Sequence, residues 1–189
     1  MSTVAHHRTT PEELLTLPDG NRYELVDGEL VECGMSGKSL WLATWLSSQL
    51  VNFAVPRRLG YVITEVSIQC FADPGKVRRP DVAFFARGRM SDAEYEAGHI
   101  RVTPDLAVEV VSPNDLAYEV ALKSAEYLAA GVRLVWIIHP ETNEVEVRRA
   151  DGTSLHLQGS QSLSGDDVLP GFELPLPELF RDMSDFRHR

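Results

Sequence analysis

The sequence has few cysteines, no long apolar run and no excess of basic residues. Its two cysteines, Cys33 and Cys70, lack the spacing of a metal-binding or disulfide framework. The longest apolar runs, such as Leu134 to Ile138, are five residues, far shorter than the roughly 20 that a membrane span needs. The first residues contain no apolar signal core. These absences predict a soluble cytoplasmic protein with no membrane segment.

Positive charge is also scarce. The chain has 28 acidic and 18 basic residues and a net charge of −10, which argues against broad binding to nucleic acid through a basic surface. It does not exclude a nuclease, because carboxylates clustered around a metal ion would add to the same negative total. Three local basic clusters are either solvated loops or phosphate-contacting patches: Arg57-Arg58, Lys76 with Arg78-Arg79, and Arg87 with Arg89.

The length and patterning predict one mixed α/β domain. A chain of 189 residues with 43% hydrophobic residues is long enough to bury a sizeable core, and we expect a single domain over 1–189, with 1–9 as a mobile tail. Turn signals and periodicity then predict a central mixed β-sheet flanked by helices. The predicted helices are a short one from Thr10-Pro11, one over 38–54, a short one from Ser91 and one over 116–130. The predicted strands are a hairpin over 23–32 and segments 61–70, 79–86, 106–111, 133–139 and 144–149.

Two carboxylates interrupt segments that otherwise read as buried strand. Asp81 lies in Arg-Arg-Pro-Asp-Val-Ala-Phe-Phe, and Glu109 lies in Asp-Leu-Ala-Val-Glu-Val-Val-Ser, 28 positions later. Burying a carboxylate among such residues costs about several kcal/mol unless a cation or strong hydrogen-bond donors compensate it. Asp81 alone would fit a local backbone cap, and Glu109 alone would fit an ion pair or an exposed face. Together they predict two ligands of one metal ion.

Asp105 is an alternative partner for Glu109, since it precedes Glu109 by four residues on the same predicted strand. That spacing puts both side chains on one face but about 13 Å apart. A metal ion with ligand distances of about 2 Å cannot bridge that gap. Asp81, on another strand, has no such restriction.

Lys123 lies on the predicted helix 116–130, at the rim of its apolar face. From there a lysine stem can pack while its ammonium reaches along the sheet edge. Tyr127, four residues on, shares that direction. The alternative is an ordinary helix lysine paired with Glu119.

Several segments resemble, in order, those of the Uma-two family of putative restriction endonucleases. They are Tyr-Glu-Leu-Val-Asp-Gly-Glu-Leu-Val-Glu, Arg-Pro-Asp-Val-Ala-Phe, Pro-Asp-Leu-Ala-Val-Glu-Val-Val-Ser-Pro-Asn, and the stretch from Lys123 to Pro140. The resemblance runs from Thr10 to Phe180. It implies the restriction-endonuclease-like fold and a site of the PD-(D/E)xK type.

The resemblance also implies roles for individual residues. Asp81 and Glu109 match the two acidic positions, and Lys123 replaces the usual lysine, because Val111 stands where that lysine is expected. Asp81, Glu109 and the Val110 carbonyl would hold Mg²⁺ or Mn²⁺, which suit oxygen ligands. Glu65, Glu24 and Tyr127 are possible accessory residues.

The implied activity is metal-dependent hydrolysis of nucleic-acid phosphodiester bonds, with DNA as the expected substrate and a homodimer or higher homo-oligomer as the expected assembly. The alternative is a catalytically degenerate nuclease fold that acts as a binding or regulatory module. Val111 in place of lysine and the acidic net charge favour that alternative.

Overall fold

The computed structural model describes residues 7–96 and 98–181, and a six-stranded mixed sheet forms its centre. The strand order is β3-β4-β5-β6-β7-β8, and β5 and β6 are the one parallel pair among these strands. A parallel pair needs a long crossover, which here contains helix α4. The six strands are β3 Gly60–Thr64, β4 Val82–Ala86, β5 Leu106–Val110, β6 Leu134–His139, β7 Glu144–Arg149 and β8 Ser154–Leu157.

Five α-helices and two smaller sheets surround the central sheet in the described part of the chain. The helices are α1 Pro11–Thr16, α2 Gly37–Ala54, α3 Asp92–Tyr95, α4 Ala117–Ala129 and α5 Leu176–Leu179. The small sheets are the hairpin of β1 Tyr23–Val26 with β2 Glu29–Glu32, and the pair of β9 Ser162–Ser164 with β10 Glu173–Pro175. None of the helices in this part is long and apolar enough to cross a membrane.

The sheet separates two apolar clusters because side chains alternate between its faces. One face, with Val108 and Trp136, packs against α2 and the C-terminal segments. The other face, with Ala83, Ala107 and Ile137, packs against Tyr127 of α4. Side chains at odd-numbered positions of β4 and β5 therefore point toward α4, and Asp81 and Glu109 continue both odd-numbered series.

The hairpin is joined to the segment that precedes β4. Asp27 and Gly28 both have positive φ, 52° and 81°, as the tight turn of a two-residue hairpin requires. The backbones of Leu25 and Val77 exchange two hydrogen bonds of 2.8 and 2.9 Å. This pairing sets Glu24, next to Leu25, beside the residues that lead to Asp81.

The predicted α/β architecture is confirmed, but the strands predicted over 61–70 and 79–86 are both shorter than predicted. Segment 61–70 leaves the sheet after Thr64, because Glu65 has a left-handed backbone with φ of 54°. Ile68 then makes isolated bridges to Arg78 and Ile100 instead of extending β3. The strand predicted over 79–86 begins only at Val82, so Asp81 immediately precedes β4. Of the predicted mobile tail, residues 1–6 lie outside the described residues.

Candidate active site

The register of β4 and β5 brings Asp81 and Glu109 together. Val82 pairs with Val108 in this antiparallel ladder, and Asp81 and Glu109 each lie one residue beyond that pair. Both carboxylates are almost buried, with 9% and 8% of their surface exposed. They line one cavity of about 540 Å³, together with Lys123 from α4.

The Asp81 carboxylate is held by one backbone amide rather than by a cation. The Val110 N–H donates to its Oδ2 at 2.5 Å, and its own N–H donates to the Val108 carbonyl at 3.0 Å. Within residues 7–96 and 98–181, no lysine, arginine or histidine nitrogen lies within 4.0 Å of this carboxylate. Burial, and then the negative charge of Glu109, raise the pKa of Asp81 well above its usual value.

Glu109 has two protein donors, both from α4. Lys123 Nζ donates to Oε2 at 2.7 Å, and the Tyr127 hydroxyl donates to Oε1 at 2.8 Å. Burial raises the pKa of Glu109 to about 7, although the ammonium of Lys123 opposes the shift. Burial, with the charge of Glu109, also raises the pKa of Tyr127, so its hydroxyl stays protonated and donates.

Lys123 bridges two carboxylates from different parts of the chain. Its Nζ lies 2.7 Å from Glu109 Oε2 and 2.8 Å from Glu24 Oε1. The alternative pairing of Lys123 with Glu119 is wrong, since Glu119 accepts instead from the Tyr118 hydroxyl at 2.9 Å. Burial alone would lower the pKa of Lys123, but the carboxylates around it outweigh burial and raise it.

A buried ion-pair network continues behind Glu24. Arg78 Nη1 contacts Glu24 Oε2 at 2.9 Å, and Arg78 Nη2 contacts Glu126 Oε2 at 2.6 Å. Lys76 completes the network with a short contact to Glu126. Burial would raise the pKa of Glu24, but the charges of Lys123 and Arg78 lower it. The interpretation of Lys76 and Arg78 as residues of a solvated loop is therefore wrong, since both side chains are nearly buried.

The sequence indicated Glu109, Lys123 and Glu24, but it did not predict the ion pairs of Arg78 with Glu24 and Glu126. In the sequence Arg78 stands out only as part of a basic cluster, and Glu126 gives no signal. The pair could not be predicted because Arg78 lies in an irregular segment and Glu126 on a helix 48 positions away. Glu65 does line the cavity, but its side chain is 43% exposed and makes a 3.5 Å contact with Arg79 Nη2.

Asp105 takes a separate, structural position at the other end of β5. Its Oδ2 accepts from the Ala86 N–H at 2.8 Å, and Arg89 and Arg133 lie 3.5 and 3.7 Å from its carboxylate. The distance argument that separated Asp105 from Glu109 therefore agrees with the fold.

Comparison with known proteins identifies the family. A family model described as "Putative restriction endonuclease", Uma2, matches residues 11–177. The chain belongs to the Uma2 family. Its fold is also similar to the crystal structure of a putative nuclease of the DUF820 group from Anabaena variabilis. The TM-score is 0.80 and the sequence identity 21%, over 90% of this chain and 97% of the other. No curated protein matches the sequence.

The donor set of this Uma2 protein fits a hard divalent cation. Across the described residues, no three histidine, cysteine, aspartate or glutamate side chains form a metal-binding group. Mg²⁺, however, is usually bound through one or two carboxylates together with waters. Asp81 and Glu109 supply two carboxylates, and each oxygen that already accepts a hydrogen bond keeps a further lone pair. Asp81 in particular is a buried carboxyl group whose ionised form a cation would stabilise.

The lysine near Glu109 comes from α4 and not from position 111, where the resemblance implied the usual lysine. Val111, where that lysine is expected, is a partly buried member of the apolar cluster under α4. Lys123 reaches the same carboxylate from the helix, with 17% of its side chain exposed to the cavity. The ammonium group next to Glu109 therefore comes from Lys123 of α4, while position 111 after β5 carries the apolar side chain of valine.

Proposed function

We propose that this protein is a metal-dependent endonuclease that hydrolyses nucleic-acid phosphodiester bonds, with DNA as the expected substrate. The observation that carries the proposal is the meeting of Asp81, Glu109 and Lys123 at one cavity. Membership of a family described as putative restriction endonucleases supports it.

Asp81, Glu109 and the Val110 carbonyl are the proposed ligands of Mg²⁺ or Mn²⁺. Such an ion would supply a polarised water and neutralise charge on the phosphate. Asp81 is oriented for this role by the Val110 N–H, and Glu109 by the Tyr127 hydroxyl. Hydrogen bonds from the protein itself thus orient both carboxylates before any ligand binds.

Lys123 is the proposed electrostatic and water-orienting group. Its ammonium is held between Glu24 and Glu109, so its position is set in advance of the reaction. A preorganised positive charge of this kind stabilises the negative charge that develops on the phosphate oxygens. Glu24 is a positioning residue in this proposal, because it contacts Lys123 rather than the reacting atoms.

The test is cleavage of single- and double-stranded DNA and RNA by purified protein with Mg²⁺ or Mn²⁺. We expect wild type to cut at least one substrate and the Asp81→Ala/Glu109→Ala variant to lose that activity. Glu32→Gln is the matched control, since Glu32 is an exposed carboxylate of the same cavity whose partner is Arg22. Equal cleavage by wild type and the double variant would contradict the assignment.

The second candidate is a binding or regulatory module without activity. One observation favours it: Lys123 already pairs with Glu109, so the charge of this carboxylate is balanced without a metal ion. Thermal denaturation separates the two candidates. A functional metal site should raise the melting temperature of wild type when Mn²⁺ is added, and Asp81→Asn/Glu109→Gln should not respond.

A homodimer remains the expected assembly, to be checked by sedimentation against the 21.1 kDa chain mass.

A further inference from the structure

The cavity that holds the proposed catalytic groups has an apolar wall. Tyr118 and Leu122 from α4, Leu40 from α2 and Val31 from β2 all line it. Their exposed fractions are 66%, 51%, 49% and 42%. Single exposed apolar residues are normal on a protein surface, but several that line one cavity indicate a binding surface.

This wall adjoins the proposed catalytic lysine. Tyr118 and Leu122 are four residues apart on α4, so they lie on one side of the helix on successive turns. Lys123 is the next residue, and the helix rises about 7.5 Å from Tyr118 to Lys123. A group that contacts Tyr118 and Leu122 can therefore belong to the same nucleotide as a phosphate near Lys123.

The charges of the cavity disfavour a duplex backbone as its occupant. Among the lining residues, carboxylates outnumber cationic side chains seven to four. Each of those four cations is within 4.0 Å of a carboxylate of the protein itself. Binding of duplex depends on lysine and arginine side chains that neutralise several phosphates. Single strands bind additionally through bases stacked on aromatic side chains, and this wall offers one such side chain, Tyr118.

We propose that the cavity accepts an unpaired nucleotide, with its base against Tyr118 and Leu122 and its phosphate toward Asp81, Glu109 and Lys123. This inference rests on the proposed nuclease function and narrows it to single-stranded or locally unpaired nucleic acid. DNA and RNA present the same base faces, so the wall serves either source.

Fluorescence anisotropy tests the proposal with labelled single-stranded DNA, single-stranded RNA and duplex DNA of one sequence, in Ca²⁺ and in EDTA. We expect the single strands to bind more tightly than the duplex. Tyr118→Ala should weaken that binding about tenfold or more, from the loss of base stacking, while Tyr118→Phe should preserve it. Tyr95→Ala is the matched control, because Tyr95 is 59% exposed on α3, where its ring lies 5.8 Å from that of Tyr61.

The outcomes separate this inference from the proposed function. Tyr118-dependent binding of single strands without any cleavage would overturn the nuclease function but not the binding site. Cleavage of duplex at a rate unaffected by Tyr118→Ala would overturn the binding site but not the nuclease function. Sedimentation of the same variants adds a third arm: if Tyr118→Ala converts a dimer into a monomer, the wall is a contact between copies and the inference is wrong.

Discussion

At the scale of single residues, the proposed activity depends on the position of one lysine. Lys123 and Val111 flank Glu109 from different elements, yet both lie on the α4 side of the sheet, and Lys123 alone carries a charge. A lysine two residues along the strand from Glu109 would start within about 7 Å of it. The same ammonium can therefore be delivered from either element.

Moving the lysine tests its role. We expect Lys123→Met, which keeps the length of the stem, to lower the cleavage rate about 100-fold or more through the lost electrostatic stabilisation. Val111→Lys combined with Lys123→Met should recover part of the rate, because it restores the lysine of the wider pattern. The measurement is single-turnover cleavage. Unchanged cleavage by Lys123→Met would remove Lys123 from the mechanism, and circular dichroism of each variant controls for folding.

The raised pKa of Glu109 predicts a pH effect on the metal-free protein. Its pKa is about 7 when folded against 4.5 ordinarily, mainly from burial, so the native state binds this proton more tightly than the unfolded state. Stability from this group is therefore present below about pH 4.5 and is lost as the pH rises to about 7. Urea denaturation in EDTA should show wild type losing on the order of 1–3 kcal/mol relative to Glu109→Gln across that window. A constant difference between the two proteins would contradict the shift.

At the scale of elements, sequence patterns predicted those parts whose signals are local. Asp27-Gly28 identified the hairpin, and Thr10 with Glu13 identified the start of α1, where a reciprocal capping box forms. The prediction of one strand over 61–70 was wrong. The spacing of apolar residues changes between Ile63 and Val66, where a step of three interrupts the strand period of two. That step coincides with the left-handed Glu65.

The contacts that join elements could not be read from local patterns. Glu24 and Lys123 are 99 positions apart, and their 2.8 Å contact depends on how the hairpin meets the segment before β4. The proximity of Asp81 and Glu109 could be predicted from the sequence, because it requires only that their two strands are neighbours in the sheet. Arg78 and Glu126 needed the full arrangement of hairpin, loop and helix.

The Arg78 network should stabilise that arrangement. Arg78→Met leaves Glu24 and Glu126 without their shared guanidinium, and only 3% of the surface of Glu24 is exposed to solvent. Breaking a buried pair of this kind costs about 3–5 kcal/mol. We therefore expect a loss of that order in the free energy of unfolding, measured in urea.

Two further variants frame this result. Arg78→Met/Glu126→Gln should recover part of the loss, since it removes one of the two carboxylates that shared the guanidinium and leaves Lys123 as the partner of Glu24. Lys38→Met should change stability by no more than about 1 kcal/mol, because its pair with Glu141 is exposed at the surface. An Arg78→Met variant as stable as Lys38→Met would show that the network contributes nothing.

At the scale of the whole molecule, a net charge of −10 must be reconciled with a polyanionic substrate. The cations that the cavity presents are engaged by the protein's own carboxylates, so long-range attraction cannot come from them. A divalent ion at Asp81 and Glu109 would offset two of the three excess negative charges of the cavity lining. The molecule would then bind nucleic acid through one metal-centred contact and the apolar wall rather than through many phosphate contacts.

The dependence of binding on salt measures this balance. Each phosphate neutralised by a protein cation contributes a slope of about −0.7 to −0.9 to the logarithm of affinity against the logarithm of salt concentration. We expect a slope shallower than about −2 with Ca²⁺ present, because few such contacts exist. In EDTA the slope should be near zero or positive, because salt then screens repulsion between two negative partners. Anisotropy titrations over a range of KCl concentrations measure both slopes. A steep slope that persists in EDTA would require an extended basic surface, and the metal-centred mode of binding would then be wrong.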